Sequence, residues 1–394
     1  MVPPAEFEVP PTPSLLLGGP LYRLLRRFHS AGSIPELLSR QAIIIALLCW
    51  APLALLSLIQ THAVQHVTLP FFRDLETQIR FLVSLPVLIL AEIVIERRIR
   101  PIIRRFVERH LISAKQLPDF SSAVNTAARI HNSVAADIIL LIFVYTAGLS
   151  IWRHQIPPDI ASWYASSENA QIHLTVAGYW LAFVSVPAFQ FILLRWYMQI
   201  LVWFWFMLRI SRFKLRLAPL HPDRAGGIAF VAASSMALAP LLFAHSALIS
   251  SQIASHILYS RKSLHSFLIT ILSYIFLAVG AALAPLCLFT PQLIQAKRGA
   301  LARYGNFASE LVSDFDQKWL KPRVLATPML ASEEIQTVAD LDNSFRVVRE
   351  MRYVPISPHD MLLLFAITAA PFLPLLLTAM PIDQLVVHAI KLIF

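Results

Sequence analysis

Seven stretches of this 394-residue chain are nearly free of charge, and each is long enough to cross a bilayer as a helix. Spanning about 30 Å of hydrocarbon takes about 20 apolar residues at about 1.5 Å each. The stretches run roughly over 41–61, 79–97, 134–153, 173–196, 228–251, 266–294 and 361–380. Composition agrees, with 14% charged and 57% hydrophobic residues, against about a quarter charged in a soluble domain. The predicted class is an all-α integral membrane protein of about seven transmembrane helices, with a cytosolic helical hairpin and interfacial amphipathic helices.

The positive charges then orient the chain. Of 33 Lys and Arg residues, 26 fall into four blocks beside the apolar runs, from Arg23 to Arg40, Arg97 to Arg129, Arg209 to Arg224 and Lys297 to Arg352. Lys and Arg are retained on the cytoplasmic side of membrane proteins. With the blocks inside, the N-terminus is cytoplasmic, the loops at 61–78, 154–172 and 252–265 lie outside, and the expected location is a bacterial inner membrane. The net charge of +10 would suggest nucleic acid in a soluble protein. Here the cations hug the ends of apolar runs without an aromatic-basic groove, so anionic lipid on the cytoplasmic side is the expected partner, and nucleic acid is not.

Five segments follow from this layout. Residues 1–19 carry Pro3, Pro4, Pro10, Pro11 and Pro13, which disfavour helix and predict an extended tail. Residues 20–40 place Leu21, Leu24, Leu25 and Phe28 opposite Arg23, Arg26 and Arg27, the pattern of a helix lying on headgroups or on the protein's own cytosolic face. Residues 41–295 hold six spans, interrupted at 97–133 by a basic cytosolic segment. In that segment Ile99, Ile102, Ile103 and Phe106 oppose Arg98, Arg104, Arg105 and Arg109, a basic amphipathic helix suited to anionic lipid. Residues 296–356 read as two helices, marked by Tyr304, Phe307, Leu311, Phe315 and Trp319 and by Ile335, Val338, Leu341, Phe345 and Val348, with Ser332 as cap. Residues 357–394 supply the seventh span and a C-terminal interfacial helix. Apolar character continues unbroken from Ile172 to Ile210, which predicts one long fourth helix kinked near Pro187.

The most motif-like stretch is Leu220-His221-Pro222-Asp223-Arg224-Ala225-Gly226-Gly227. Glycines at a helix entrance let N–H groups approach an anion, with His221, Asp223, Arg224, Gly226 and Gly227 as the candidate loop; the same residues equally describe a tight turn with Asp223 as cap. This stretch, with the Tyr304 to Trp319 helix, the Ser332 to Met351 segment ending Asn343-Ser344-Phe345-Arg346 and the Pro-rich last span, resembles a family of bacterial multi-pass inner-membrane proteins of uncharacterised function. That resemblance covers most of the chain from about residue 40. It implies the architecture and no activity, substrate or site residue.

Ionisable residues inside spans cost about 2.5–3.5 kcal/mol each on insertion scales and are functional candidates by default. Glu92, Asp137 and Arg195 fall at one depth by residue count, so they either form an intramembrane charge cluster or snorkel and cap separately. His245, Ser246 and Gln252 mark an unusually hydroxylated fifth span, suited to a wet pathway or to an interhelical contact. Nucleophile-elbow, metal-helix and Walker-lysine patterns are absent from the sequence. Cys49 and Cys287 lack ligand-spaced neighbours, so no catalytic residue, cofactor or metal is expected. Function reads as channel or transporter-like, with a membrane scaffold or sensor whose cytosolic hairpin binds a protein partner, or a lipid-acting enzyme, as alternatives; a homo-oligomer is compatible with each.

Overall fold

The computed structural model describes residues 34–61, 70–154, 162–168, 171–260, 262–317 and 333–379. The expected N-terminal tail, most of the 20–40 helix, the connection before residue 333 and the C-terminal interfacial helix lie outside those residues.

Among the described residues, seven helices are long and apolar enough to cross a membrane: Leu38–Ile59, Leu75–Glu108, Val134–His154, Val176–Ile210, Ala229–Ser260, Leu264–Cys287 and Pro358–Leu377. They are called the first to seventh spans below, and they make the chain a multi-pass helical membrane protein. Each overlaps one of the seven apolar stretches. Three extend well beyond theirs at the C-terminal end, because Arg98–Glu108, Tyr197–Ile210 and Gln252–Ser260 continue as helix past the predicted bounds.

The fifth span is the centre of the bundle. Two thirds of its apolar window (67%) is buried, against 17–44% for the others. It packs on the second and seventh spans, the first span packs on the second and fourth, and the third rests on the fourth. Its hydroxyls close on carbonyls: Ser234 Oγ donates to Val231, Ser235 Oγ to Ala232 and Ser251 Oγ to Leu248 within the helix. Ser250 Oγ reaches Pro371 of the seventh span at 2.7 Å, and Ser84 of the second span reaches Ala244 at 3.0 Å. In hydrocarbon these bonds join helices where apolar contact alone gives little preference between neighbours.

Proline inside a span frees the carbonyl four residues earlier, and at Pro52 and Pro187 the structure supplies it with a donor from the fourth span or to it. Pro52 leaves Leu48 without its helical N–H donor; Trp180 Nε1 faces that carbonyl at 3.4 Å, and Ser185 Oγ donates to the adjacent Cys49 carbonyl at 2.8 Å. Pro187 does the same to Phe183, whose carbonyl accepts the Tyr145 hydroxyl of the third span at 2.9 Å. The long fourth helix is thus continuous from Val176 to Ile210, with a wide π turn at Leu181–Ser185 just before Pro187.

Polar segments collect at two ends. At one, Arg216 N–H donates to Leu111, Gln292 Nε2 to Phe213, Lys297 Nζ to Met351 and Arg352 N–H to Arg224, which brings the segments after the second, fourth and sixth spans and before the seventh together. These carry the basic blocks. At the other, Trp163 Nε1 donates to Asp74 Oδ2 at 3.0 Å, Tyr259 Oη to Arg73 O at 2.7 Å and Gln252 Nε2 to Glu76 at 3.5 Å.

Three local features go beyond the sequence expectation. The helix at Leu117–His131 stops at Asn132, where Ser133 turns extended and caps the first helix of the third span by accepting from Ala136 N–H. Beyond the sixth span the chain breaks at Leu288–Phe289 and restarts as Thr290–Phe315, with Pro291 in the first turn; that helix packs on Glu333–Arg349. Third, β1 (Ala165–Glu168) and β2 (Gln171–Leu174) pair antiparallel with Ala165 opposite Leu174. This pair leads into the fourth span through Thr175, whose side chain accepts from Gly178 N–H and donates to Trp163 O.

Gly178 is required there. A Cβ at this position would lie 2.0 Å from the Tyr164 carbonyl, and backbone cannot retreat as a side-chain tip can. Gly178→Ala is expected to destabilise the β1–β2 loop by about 1–3 kcal/mol through overpacking; proteolysis of the 155–175 region in detergent should accelerate, and an unchanged cleavage rate would refute the packing account.

Candidate functional site

A cleft of about 640 Å³ lies between the first four spans. Its walls are mostly apolar, with Leu48, Ile138, Leu141, Phe183 and Ile192 among them, and its polar side chains are Gln41, Glu92, Asp137, Tyr145, Arg195 and Gln199. Helical spacing explains their convergence: Arg195 and Gln199 are four apart on one face of the fourth span, and Asp137 sits in the first turn after the Ser133 cap. Glu92 projects from the second span, flanked by Ile89.

Arg195 Nη1 lies 4.0 Å from Asp137 Oδ1, with both side chains under a tenth exposed. Glu92 shares the cleft with this pair and is half-buried. The three residues singled out by depth therefore line one cavity. The polar pole thus holds two carboxyl groups and one guanidinium. Glu96 is set apart, 3.8 Å from Arg100 one turn along its own helix. Gln41, Tyr145 and Gln199 escaped the sequence reading because uncharged polar residues in spans raise no alarm; the four-residue spacing of Gln199 from Arg195 was the available signal. A smaller void of about 40 Å³ adjoins the cleft, sharing Trp196 and Gln199.

The His221 to Gly227 loop takes a different role in the fold. The N–H groups of Ala225, Gly227 and Ala229 all donate to the Asp223 carboxylate, at 2.9, 3.0 and 3.1 Å. His221 Nδ1 accepts the Asp223 N–H at 3.2 Å, and Arg109 Nη1 sits 4.0 Å from Asp223 Oδ2 while donating to Gly227 O at 3.0 Å. Burial works against ionisation of Asp223, but the three N–H donors and His221 outweigh it and hold its carboxyl below the ordinary aspartate value. Three of the N–H groups that could meet an anion are thus turned onto the loop's own carboxylate.

Arg224 occupies the left-handed region at φ 53°, followed by Gly226 at 64° and Gly227 at 95°. The unusual backbone at Arg224 turns its carbonyl to Arg352 N–H at 2.7 Å, and its guanidinium meets Glu350 at 3.1 Å. A Cβ on Gly226 would come 3.1 Å from Met351 Cε. The loop clasps the end of the second span to the segment before the seventh.

The remaining candidates separate. His245 meets the Tyr197 hydroxyl at 2.6 Å across to the fourth span, Ser246 is fully buried, and Gln252 lies at the other end beside Glu76. Arg98, Arg104 and Arg105 are exposed, with Arg104 paired to Glu108 at 2.5 Å, whereas Arg109 packs over Phe230, 5.1 Å from the ring centre, as part of the clasp. No protein-family model, curated protein or solved structure matches this chain.

Proposed function

We propose that this protein is a carrier in the bacterial inner membrane, its N-terminus cytoplasmic, that takes an amphipathic cation into the cleft between its first four spans. The observation that carries this reading is the cleft's polarity: about 640 Å³ of mostly apolar wall ending in Glu92 and the Asp137–Arg195 pair. An apolar body is accommodated by Leu48, Ile138 and Phe183, and the second carboxyl group, Glu92, is the partner a positive head would meet in a medium where charge is weakly screened. Arg195 holds Asp137, which leaves Glu92 as the group for the incoming charge. The hydroxyls of the fifth span favour packing over a wet pathway, since Ser234, Ser235 and Ser251 close on carbonyls of their own helix and Ser250 on Pro371 of the seventh span.

The test is uptake of radiolabelled tetraphenylphosphonium by proteoliposomes. Uptake above empty vesicles is expected for the unmodified chain, with loss to the empty-vesicle level on Ala188→Trp, which fills the cleft, and a large decrease on Glu92→Gln. Ser235→Ala should leave uptake intact. Uptake equal to that of empty vesicles under every ion gradient overturns the reading. A scaffold or sensor role finds support in Phe307 and Val312, about half exposed (52% and 47%) on the Thr290–Phe315 helix; it predicts that deleting 296–349 abolishes a co-purifying protein without preventing membrane insertion.

A further inference from the structure

A second cavity sits at the basic end, away from the cleft, where the chain leaves the fourth span and the post-sixth-span helix begins. It measures about 580 Å³ and is lined by Arg212, Phe213, Lys214, Leu217, Gln292 and Arg303 among others. A further hollow of about 570 Å³ adjoins it through Gln295 and adds Arg298. Three cations thus line the cavity and a fourth, Arg298, the adjoining hollow, with no carboxylate among the described lining residues of either.

The local structure explains why those cations point outward together. After a turn at Ser211–Phe213 the chain leaves the fourth span without regular secondary structure, and exposure alternates: Phe213, Leu215 and Leu217 pack on the core, while Arg212, Lys214 and Arg216 are exposed. Gln292 secures this segment by donating to the carbonyls of Ser211 and Phe213. Arg303 comes from the facing helix two turns beyond Gln295, lines the cavity, and ties one of its nitrogens, Nε, to Gly299 O. Lys297 of the same helix is spent differently, donating to Met351 O at 2.7 Å over the Tyr353 ring. The basic residues therefore divide into structural ones with backbone partners and a set gathered around a cavity.

Depth matters equally. The 20 residues of Leu268–Cys287 already span about 30 Å, the thickness of the hydrocarbon layer, so Gln292, past the break at Leu288–Phe289, lies beyond the hydrocarbon-length segment.

We propose that this groove, built by Arg212, Lys214 and Arg303 with Arg298 on the adjoining hollow, binds a phosphate-bearing anion at the membrane surface. The cations supply charge and forked N–H donors for phosphate oxygens, and the Phe213–Leu217 floor accepts the apolar part that joins a headgroup to its chains. This site is independent of the carrier reading and of the Glu92 cleft.

The experiment uses the full chain in an uncharged maltoside detergent, with thermal stability and native mass spectrometry as readouts against dihexanoyl phosphatidylglycerol, dihexanoyl phosphatidylcholine and inorganic pyrophosphate. The expected result is stabilisation and a bound adduct with the anionic lipid, absent with phosphatidylcholine, and an apparent affinity at least about tenfold weaker in Arg212→Gln/Lys214→Gln. An equal response to pyrophosphate assigns the site to soluble phosphate compounds and upholds the groove; a response to the lipid alone assigns it to headgroups. Lys115→Gln/Arg129→Gln, which removes two exposed cations elsewhere, should bind like the unmodified chain. Binding unchanged in Arg212→Gln/Lys214→Gln, or weakened equally in both double variants, overturns the proposal, as does failure of every anion to bind. Arg303→Gln provides the same test from the facing helix should the first pair perturb the segment.

Discussion

Arg195→Ala is expected to lower the stability of the bundle by about 3–5 kcal/mol, because it strands a carboxylate in a water-poor cavity. Arg195 and Asp137 are 9% and 6% exposed, with their charged atoms 4.0 Å apart. The cost of leaving one charge without the other exceeds the net value of the pair, since each was desolvated when the helices came together. Two companions separate these quantities. Asp137→Asn in the Arg195→Ala background removes the stranded charge and should recover more than half of the loss, and Asp137→Asn alone should cost less than Arg195→Ala, because Glu92 remains to face the guanidinium. Reversible SDS titration in mixed micelles measures all three. A loss below about 1 kcal/mol for Arg195→Ala, the range of solvent-exposed pairs, would show that water or detergent already screens this cavity.

The second large effect is expected at Asp223. Asp223→Ala deprives three backbone N–H groups of their acceptor. Hydrogen bonds to charged groups contribute about 1.5–3 kcal/mol each and are not additive, so a total loss of about 3–5 kcal/mol is expected. Asp223→Asn keeps the shape with one carbonyl oxygen for three donors and should fall between. The loss is expected to be local first: the clasp joins Arg109 to Arg352 through the Arg224 carbonyl, so hydrogen exchange should accelerate at 109–112, 224–229 and 350–354 before the central spans respond. Uniform acceleration, or none, would contradict the clasp.

The same carboxylate sets a pH dependence. Its native pKa lies below the ordinary aspartate value of 3.8, so folding favours the ionised form. Its contribution is fully present above the unfolded value and disappears as pH falls through the native one. The stability difference between the unmodified chain and Asp223→Ala should therefore hold level from about pH 7 to about pH 5 and shrink below about pH 4. A difference that grows on acidification would reverse the sign and exclude this origin.

Much of the architecture was legible in the residues, and the cleft only partly. Counting along each apolar run put Glu92, Asp137 and Arg195 at one depth, since helical rise converts residue number into height. It left open whether Arg195 faces Asp137 or Glu92. That choice rests on helix rotation and on which spans adjoin, both consequences of packing. The loop at His221 was visible as a motif, yet its two readings differ in where three N–H groups point, which depends on an Arg224 backbone at positive φ that no residue type enforces. The short β1–β2 pair, four residues a side in a polar loop, left no pattern strong enough to read, and the break at Asn132–Ser133 was hidden by apolar residues on both sides.

Hydropathy and the Lys/Arg blocks by themselves determined the seven spans and the segregation of basic segments, because the cost of placing a charge or an unpaired peptide group in hydrocarbon is local to each residue. Which span lies at the centre was decided only in three dimensions. Leu and Ile are equally at home against lipid and against another helix, so apolar content cannot tell the 67% buried fifth span from the 17% buried third and sixth. Hydroxyl and indole donors on carbonyls, two of them freed by proline, and one buried ion pair selected the neighbours, and with them the cleft between the first four spans.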